Sequence, residues 1–213
     1  VDAYFVGIKD RVVLTGAFED TDPDIGAELQ ALGVGAAQFF TNAVDTRTMG
    51  VDIVLSYSRR LGAGRLQATF AGNINNMTVE KIKTNVKLAG KEDIYFGNRE
   101  KLFLLASAPP TKMNLTLDYK INRFNTNLRF VHFAKVELED WLGTLDVYDP
   151  RLTTDLSIGY ALTNNLTLTI GGANIFNAYP TQQDTETETG GLWDAVQMGF
   201  SGAFYFTRLG FKF

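Results

Sequence analysis

The chain has 213 residues, and its 24 acidic against 20 basic side chains leave a net charge of −4. That is one or two domains' worth of chain with a mild imbalance, which argues against a nucleic-acid partner. Cysteine is absent and histidine occurs once, so no disulfide framework, thiolate nucleophile or histidine cluster can form; catalytic chemistry is unexpected, and neither cofactor nor metal is expected. No apolar run reaches the roughly 18 residues of a transmembrane helix, and the opening Val1-Asp2-Ala3-Tyr4 lacks the form of a signal peptide. Any membrane association must come through strands. Sixteen Phe, eight Tyr and 20 Gly against only five Pro fit a β-rich chain with many turns and few interruptions.

Taken in chain order, the opening segment from Asp2 to Leu14 is the first predicted strand. Val51, Ile53, Leu55 and Tyr57 then alternate with Asp52, Val54, Ser56 and Ser58, a period of two that no helix shares. The same period returns in Leu66, Ala68 and Phe70, in Met113, Leu115, Leu117 and Tyr119, and in Leu128 and Phe130. Leu156, Ile158 and Tyr160 continue it, followed by Leu166, Leu168 and Ile170, and Leu209, Phe211 and Phe213 close the chain. The fold class expected is therefore all-β, an antiparallel up-and-down meander of about eight strands.

The connections decide more than the strands do. Leu61 to Gly64, Ile121 to Arg123 and Thr163 to Asn165 are tight turns of Gly- or Asn-bearing hairpin chemistry. The segments near residues 15–37, 78–110, 134–150 and 177–197 are long, and short and long connections alternate strictly. Pro23, Pro109, Pro110, Pro150 and Pro180 all fall in or beside the long ones, where no ladder hydrogen bond is lost. Tight turns at one end and large loops at the other are the pattern of an outer-membrane barrel. Tyr57, Tyr119, Tyr160 and Phe213 lie at the tight-turn end on the apolar parity, as an interfacial aromatic girdle would. A soluble sandwich with the same apolar face as its core would share the alternation.

Eight strands can close alone only if side chains fill the interior. The inward residues Ser56, Ser58, Thr69, Ala71, Thr116, Ser157, Gly159, Thr167, Thr169 and Gly171 are too small for that, so an arc of a wider barrel is expected. Asp52, Asp118, Arg129 and Asp155 on the same parity could still build a polar network.

The stretch from Leu156 to Pro180, with the closing Phe211-Lys212-Phe213, resembles the C-terminal end of a TonB-dependent outer-membrane receptor. Asn174, Ile175, Phe176, Tyr179 and Pro180 are similar to its late "N-L-F-x-x-x-P" phrase. Asn42, Ala43, Arg47, Gly50 and Asp52 are similar to its "N-A-x-x-x-R-x-x-G-x-E" strand, with Asp52 in place of the usual Glu. The resemblance implies a plugged barrel of about 22 strands that imports siderophores, cobalamin, metal chelates or glycans with energy delivered by TonB. Residues 1–213 would then be a single barrel segment, the C-terminal part of a larger receptor, with the plug and the TonB-coupling motif outside it. It further implies short periplasmic turns, long extracellular loops, a place in the bacterial outer membrane, and contact with its lipid and lipopolysaccharide. A complete small barrel acting as an anchor or adhesin and a soluble ligand-binding module are the alternatives.

Residues expected to meet a ligand, in the lumen or the loops, are Arg47, Asp52, Asn73, Asn114, Asp118, Arg129, Trp141, Asp155, Asn174 and Trp193. The two tryptophans could stack on a sugar or an aromatic chelator, or anchor the chain at the membrane interface. Asp20-Thr21-Asp22-Pro23-Asp24 has the oxygen spacing that opens a calcium loop. Ile25 stands where the sharp-turn Gly is needed and Ala31 where the bidentate Glu should be, so a solvated acidic loop is expected there, as for Asp184, Glu186 and Glu188. Asp140, Asp146 and Asp149 share an exposed loop without the shelter acid–base catalysis needs. His132 shares the outward parity of Leu128 and Phe130. Lys81, Lys83, Lys87 and Lys91 make the 78–110 connection basic, either to meet an anion or as a solvated hairpin extending two strands beyond the membrane.

Overall fold

The computed structural model describes residues 1–84, 89–183, 191–193 and 198–213. Eight strands form one antiparallel sheet: β1 (Asp2–Leu14), β4 (Phe40–Leu61), β5 (Gly64–Ile82), β6 (Thr111–Ile121), β7 (Phe124–Phe133), β10 (Arg151–Ala161), β11 (Leu166–Ala173) and β12 (Phe204–Phe211). They pair in that order, each with its chain neighbour. Among the described residues, β1 and β12 each have a partner on one side only, so the sheet is an open arc and not a closed eight-stranded barrel.

The tight turns set the register. Leu61 pairs with Gly64 across the first and Ile121 with Phe124 across the second; Gly62 and Asn122 take positive φ there, a left-handed backbone open to Gly and tolerated by Asn. Register then propagates without slip from Leu61–Gly64 as far as Thr46–Val79. Directly paired residues share a face, so Leu55, Phe70, Leu115, Phe130 and Thr154 stand in one outward row. Ser56, Thr69, Thr116, Arg129 and Asp155 stand in the neighbouring row on the opposite face. The sorting is incomplete, since Thr126 and Thr154 take the outward parity and Val131 and Phe133 the inward one.

Strands β4 and β5, at 22 and 19 residues, are about 60–70 Å long at 3.3 Å per residue. That exceeds the roughly 9–11 residues of a tilted bilayer crossing, so in a membrane barrel both would continue past the bilayer on the long-connection side. The second long connection accordingly starts at residue 83, five residues later than the periodicity suggests, because the strand continues through Glu80 and Lys81.

Among the described residues the sheet has no buried core of its own. Leu55, Ile170, Leu209 and Phe211 remain 58–64% exposed, an apolar surface that a sandwich would have covered. Burial is concentrated where the long connections fold on one another. The first carries β2 (Phe18–Glu19), α1 (Gly26–Ala31) and β3 (Ala36–Ala37), and the second carries α2 (Glu92–Tyr95) and α3 (Asn98–Ala106). Phe18 and Leu29 of the first pack with Tyr95 and Phe96 of the second against Val13, Ala43 and Val44. The third carries the hairpin β8 (Val136–Glu139) and β9 (Leu145–Tyr148). Val136, Leu138 and Tyr148 pack there against Phe103 and Ala106 of α3 and Trp193 of the fourth. The second connection is thus the centre of a joined cap.

Candidate functional site on the inner face and the loop cap

Six of the ten residues expected to meet a ligand stand on the inner face in four successive rows. Asp52 pairs with Asn73, Asn114 lies between Ala71 and Val131, Arg129 pairs with Asp155, and Asp118 pairs with Asn127. Five of the six make short side-chain hydrogen bonds, in three separate groups along this ladder of rows. Asn73 Nδ2 donates to Asp52 Oδ1 at 2.7 Å and to Tyr4 Oη at 2.9 Å. Asn75 Nδ2 donates to Asn73 Oδ1 and to the Pro109 carbonyl, both at 2.8 Å, which ties the ladder to the second long connection. Asn127 Nδ2 donates to Asp118 Oδ1 at 2.8 Å. Arg129 reaches Asp155 Oδ2 through Nε at 2.8 Å and Nη2 at 2.5 Å. Such a surface offers donors and acceptors in a fixed pattern, while most of the large hydrophobics face the other way.

Tight approach of aromatic rings to glycine shapes this wall. A Cβ on Gly50 would sit 2.3 Å from Tyr4 Oη, and one on Gly171 would sit 2.7 Å from the Phe206 ring, so each ring lies flat across a position where only glycine fits.

The other four expected residues lie elsewhere. Arg47 takes the outward parity of Met49 and Val51, where its Nη2 pairs with Glu80 at 2.9 Å. Asn174 is buried with φ +49 and clamps the start of the fourth connection. Its Nδ2 donates to the Ala178 carbonyl at 2.7 Å, its Oδ1 accepts from Ala178 N–H at 2.9 Å, and its own N–H donates to Asp155 Oδ1 at 2.8 Å. Trp141 is 54% exposed at the tip of the β8–β9 hairpin, with the Arg99 guanidinium 3.9 Å above its ring. Trp193 stacks with Tyr179 at 5.3 Å and with Phe200 at 6.0 Å, and its Nε1 donates to the Pro180 carbonyl.

Two lysines of the basic second connection are paired. Lys83 bridges Asp10 at 2.7 Å and Asp45 at 2.5 Å, and Lys91 bridges Asp22 at 2.6 Å and Asp24 at 2.9 Å. Lys91, with the N–H groups of Asp24 and Ile25, holds the Asp22 carboxyl below its ordinary value, while Asp22 and then Asp24 hold the Lys91 ammonium above its own. The acidic 20–24 loop is therefore a lysine clasp, and among the described residues no group of three or more His, Cys, Asp or Glu could hold a metal ion. Lys87, Asp184, Glu186 and Glu188 lie outside the described residues. His132 takes the outward parity, paired with Met113 and Leu152. Asp140 and Asp146 are buried in the cap, where the length of the third connection points to an exposed loop.

Four residues outside the expected set take part: Tyr4, Asn75, Asn127 and Arg99. Asn127 was recoverable, since counting back from the Ile121–Phe124 turn sets it opposite Asp118. Tyr4 and Arg99 were not, because their partners arrive across long connections that carry no register.

The TonB-dependent receptor-like β-barrel family matches residues 1–175. The chain belongs to that family. Solved structures agree in fold across 99% of the chain. The outer-membrane transporter YddB from Escherichia coli is 12% identical with a TM-score of 0.63, and the copper transporter OprC is 18% identical with a TM-score of 0.58. The FrpB iron transporter from Neisseria meningitidis is 14% identical with a TM-score of 0.56. The chain spans only 28–30% of the length of these structures. No curated protein sequence matches it. As a member of the TonB-dependent receptor family, the chain is a wall of an outer-membrane β-barrel, and family members are transporters and receptors rather than enzymes.

Proposed function

We propose that the chain is the C-terminal eight-stranded wall of a TonB-dependent transporter that binds and imports a siderophore, cobalamin, metal chelate or glycan. One observation carries the reading: an open arc with an ordered polar ladder on one face and uncovered hydrophobics on the other, in a chain of this family. A wide barrel needs that division, with lipid outside and a polar lumen within. In this reading the tight turns are periplasmic and the joined cap is extracellular beside lipopolysaccharide. The inner-face residues Asp52, Asn73, Asn114, Asp118, Arg129 and Asp155 line the substrate's route, Arg47, Trp141, Asn174 and Trp193 support its loop mouth, and TonB engages the N-terminal part of the protein.

The test is uptake by cells. Deleting the gene, or TonB alone, should abolish high-affinity uptake of the same radiolabelled chelate, cobalamin or oligosaccharide, and restoring the gene should recover it only when TonB is present. Uptake that persists without TonB, or that requires neither gene, contradicts the reading.

A further inference from the structure

At the tight-turn end of the inner face the register sets Arg60 opposite Arg65 and Arg65 opposite Lys120. Three cations from three neighbouring strands therefore stand in one row. Like charges directly opposite each other destabilise a sheet, and the row faces away from lipid, so membrane anchoring does not explain it. None of the three side chains has a hydrogen bond or ion pair among the described residues. The nearest carboxylate along the inner face, Asp118, stands one row further in and accepts from Asn127, leaving the row uncompensated among the described residues. With Ala63 and Gly64 of the turn, the three cations line a cavity of about 380 Å³, within the size range of small-molecule sites. Arg59, next to Arg60, points to the opposite face with Leu66.

We propose that Arg60, Arg65 and Lys120 form an anion site at the tight-turn mouth of the lumen, one that takes a small polyanion bearing carboxylate or phosphate groups. Two guanidinium forks match the paired oxygens of such groups, and the ammonium adds a third, compact charge. An unpaired row that costs sheet stability is the kind of local conflict a functional site leaves in an otherwise consistent sequence. The site stands on the sheet register and goes beyond the transport reading, because its binding needs neither TonB nor membrane energy.

The experiment titrates the full-length protein, in detergent micelles at low salt, with inorganic pyrophosphate and with citrate. Saturable binding of one anion per chain is expected. Arg65→Gln should weaken it by about tenfold or more, the loss typical of a charge-assisted hydrogen bond, and Arg59→Gln should leave it unchanged. Arg65→Gln should unfold at no lower a temperature than the wild type, since it relieves repulsion. Three results overturn the proposal: no saturable binding at millimolar anion, equal effects of Arg59→Gln and Arg65→Gln, or a lower unfolding temperature together with unchanged affinity. Tighter capture of a poly-glutamate peptide than of pyrophosphate would assign the row to an acidic polypeptide and overturn the small-anion assignment.

Discussion

Asp155 spends one oxygen on the Arg129 guanidinium and the other on the Asn174 N–H, so a single carboxylate ties the inner ladder to the start of the fourth connection. Asn174 serves there through both its amide and its positive φ. Asn174→Ala loses two side-chain hydrogen bonds and strains a left-handed backbone, a cost of about 1–3 kcal/mol; Asn174→Gly loses the bonds but not the conformation and should cost less. Urea unfolding of the vesicle-inserted protein reads the difference, and equal costs would mean the backbone geometry contributes nothing. The Asp22–Lys91 clasp gives a pH signature. Because the Asp22 pKa is lowered on folding, its stabilisation is complete above the ordinary carboxylate value and is lost as pH falls through the lowered one. Because the Lys91 pKa is raised, its share is complete below the ordinary lysine value and is lost as pH climbs through the raised one. The clasp should therefore persist across the neutral range, and pepsin should cut the first two connections only once the medium is more acidic than the carboxylate range. Asp22→Asn should open them to subtilisin at pH 7 several-fold faster than in the wild type; indistinguishable digestion would show that the clasp does not hold the cap.

At the level of elements, facing follows parity, and lipid makes parity measurable. Leu117 stands between Ala68 and Leu128 on the outward face, and Leu168 between Tyr160 and Leu209. Arginine at either position should cost roughly 2–4 kcal/mol at mid-bilayer. Gln67 lies on the inner face opposite Asp118, so Gln67→Arg gains an opposite charge and should insert as the wild type does. Folding yield into lipid vesicles checks all three, and failure of Gln67→Arg with survival of the leucine variants would reverse the two faces. The strands were legible in the sequence because a period of two and hairpin turns are local signals, and the Asp52–Asn73 and Asp118–Asn127 pairs follow from counting back from a turn. The α3 helix was not, since Leu102, Phe103, Leu104 and Leu105 run together without helical spacing and the helix owes its place to the β8–β9 hairpin. The pairing of Lys83 and Lys91 was equally hidden, because their carboxylate partners lie 38 to 73 residues away in sequence.

For the molecule as a whole, the apolar surface that makes no sense in water and the polar ladder that makes none in lipid are two sides of one sheet. The arc divides hydrocarbon from a polar lumen. Strand β6 tests it most directly, because the chain has no cysteine of its own and each single-cysteine variant from Lys112 to Lys120 can carry one nitroxide label. Accessibility to oxygen and to a water-soluble nickel chelate is then measured by electron paramagnetic resonance on the protein in lipid vesicles. A strict period of two is expected, with oxygen favoured at Met113, Leu115, Leu117 and Tyr119 and the chelate at Lys112, Asn114, Thr116, Asp118 and Lys120. A profile without that alternation, or with the two sets exchanged, would contradict it.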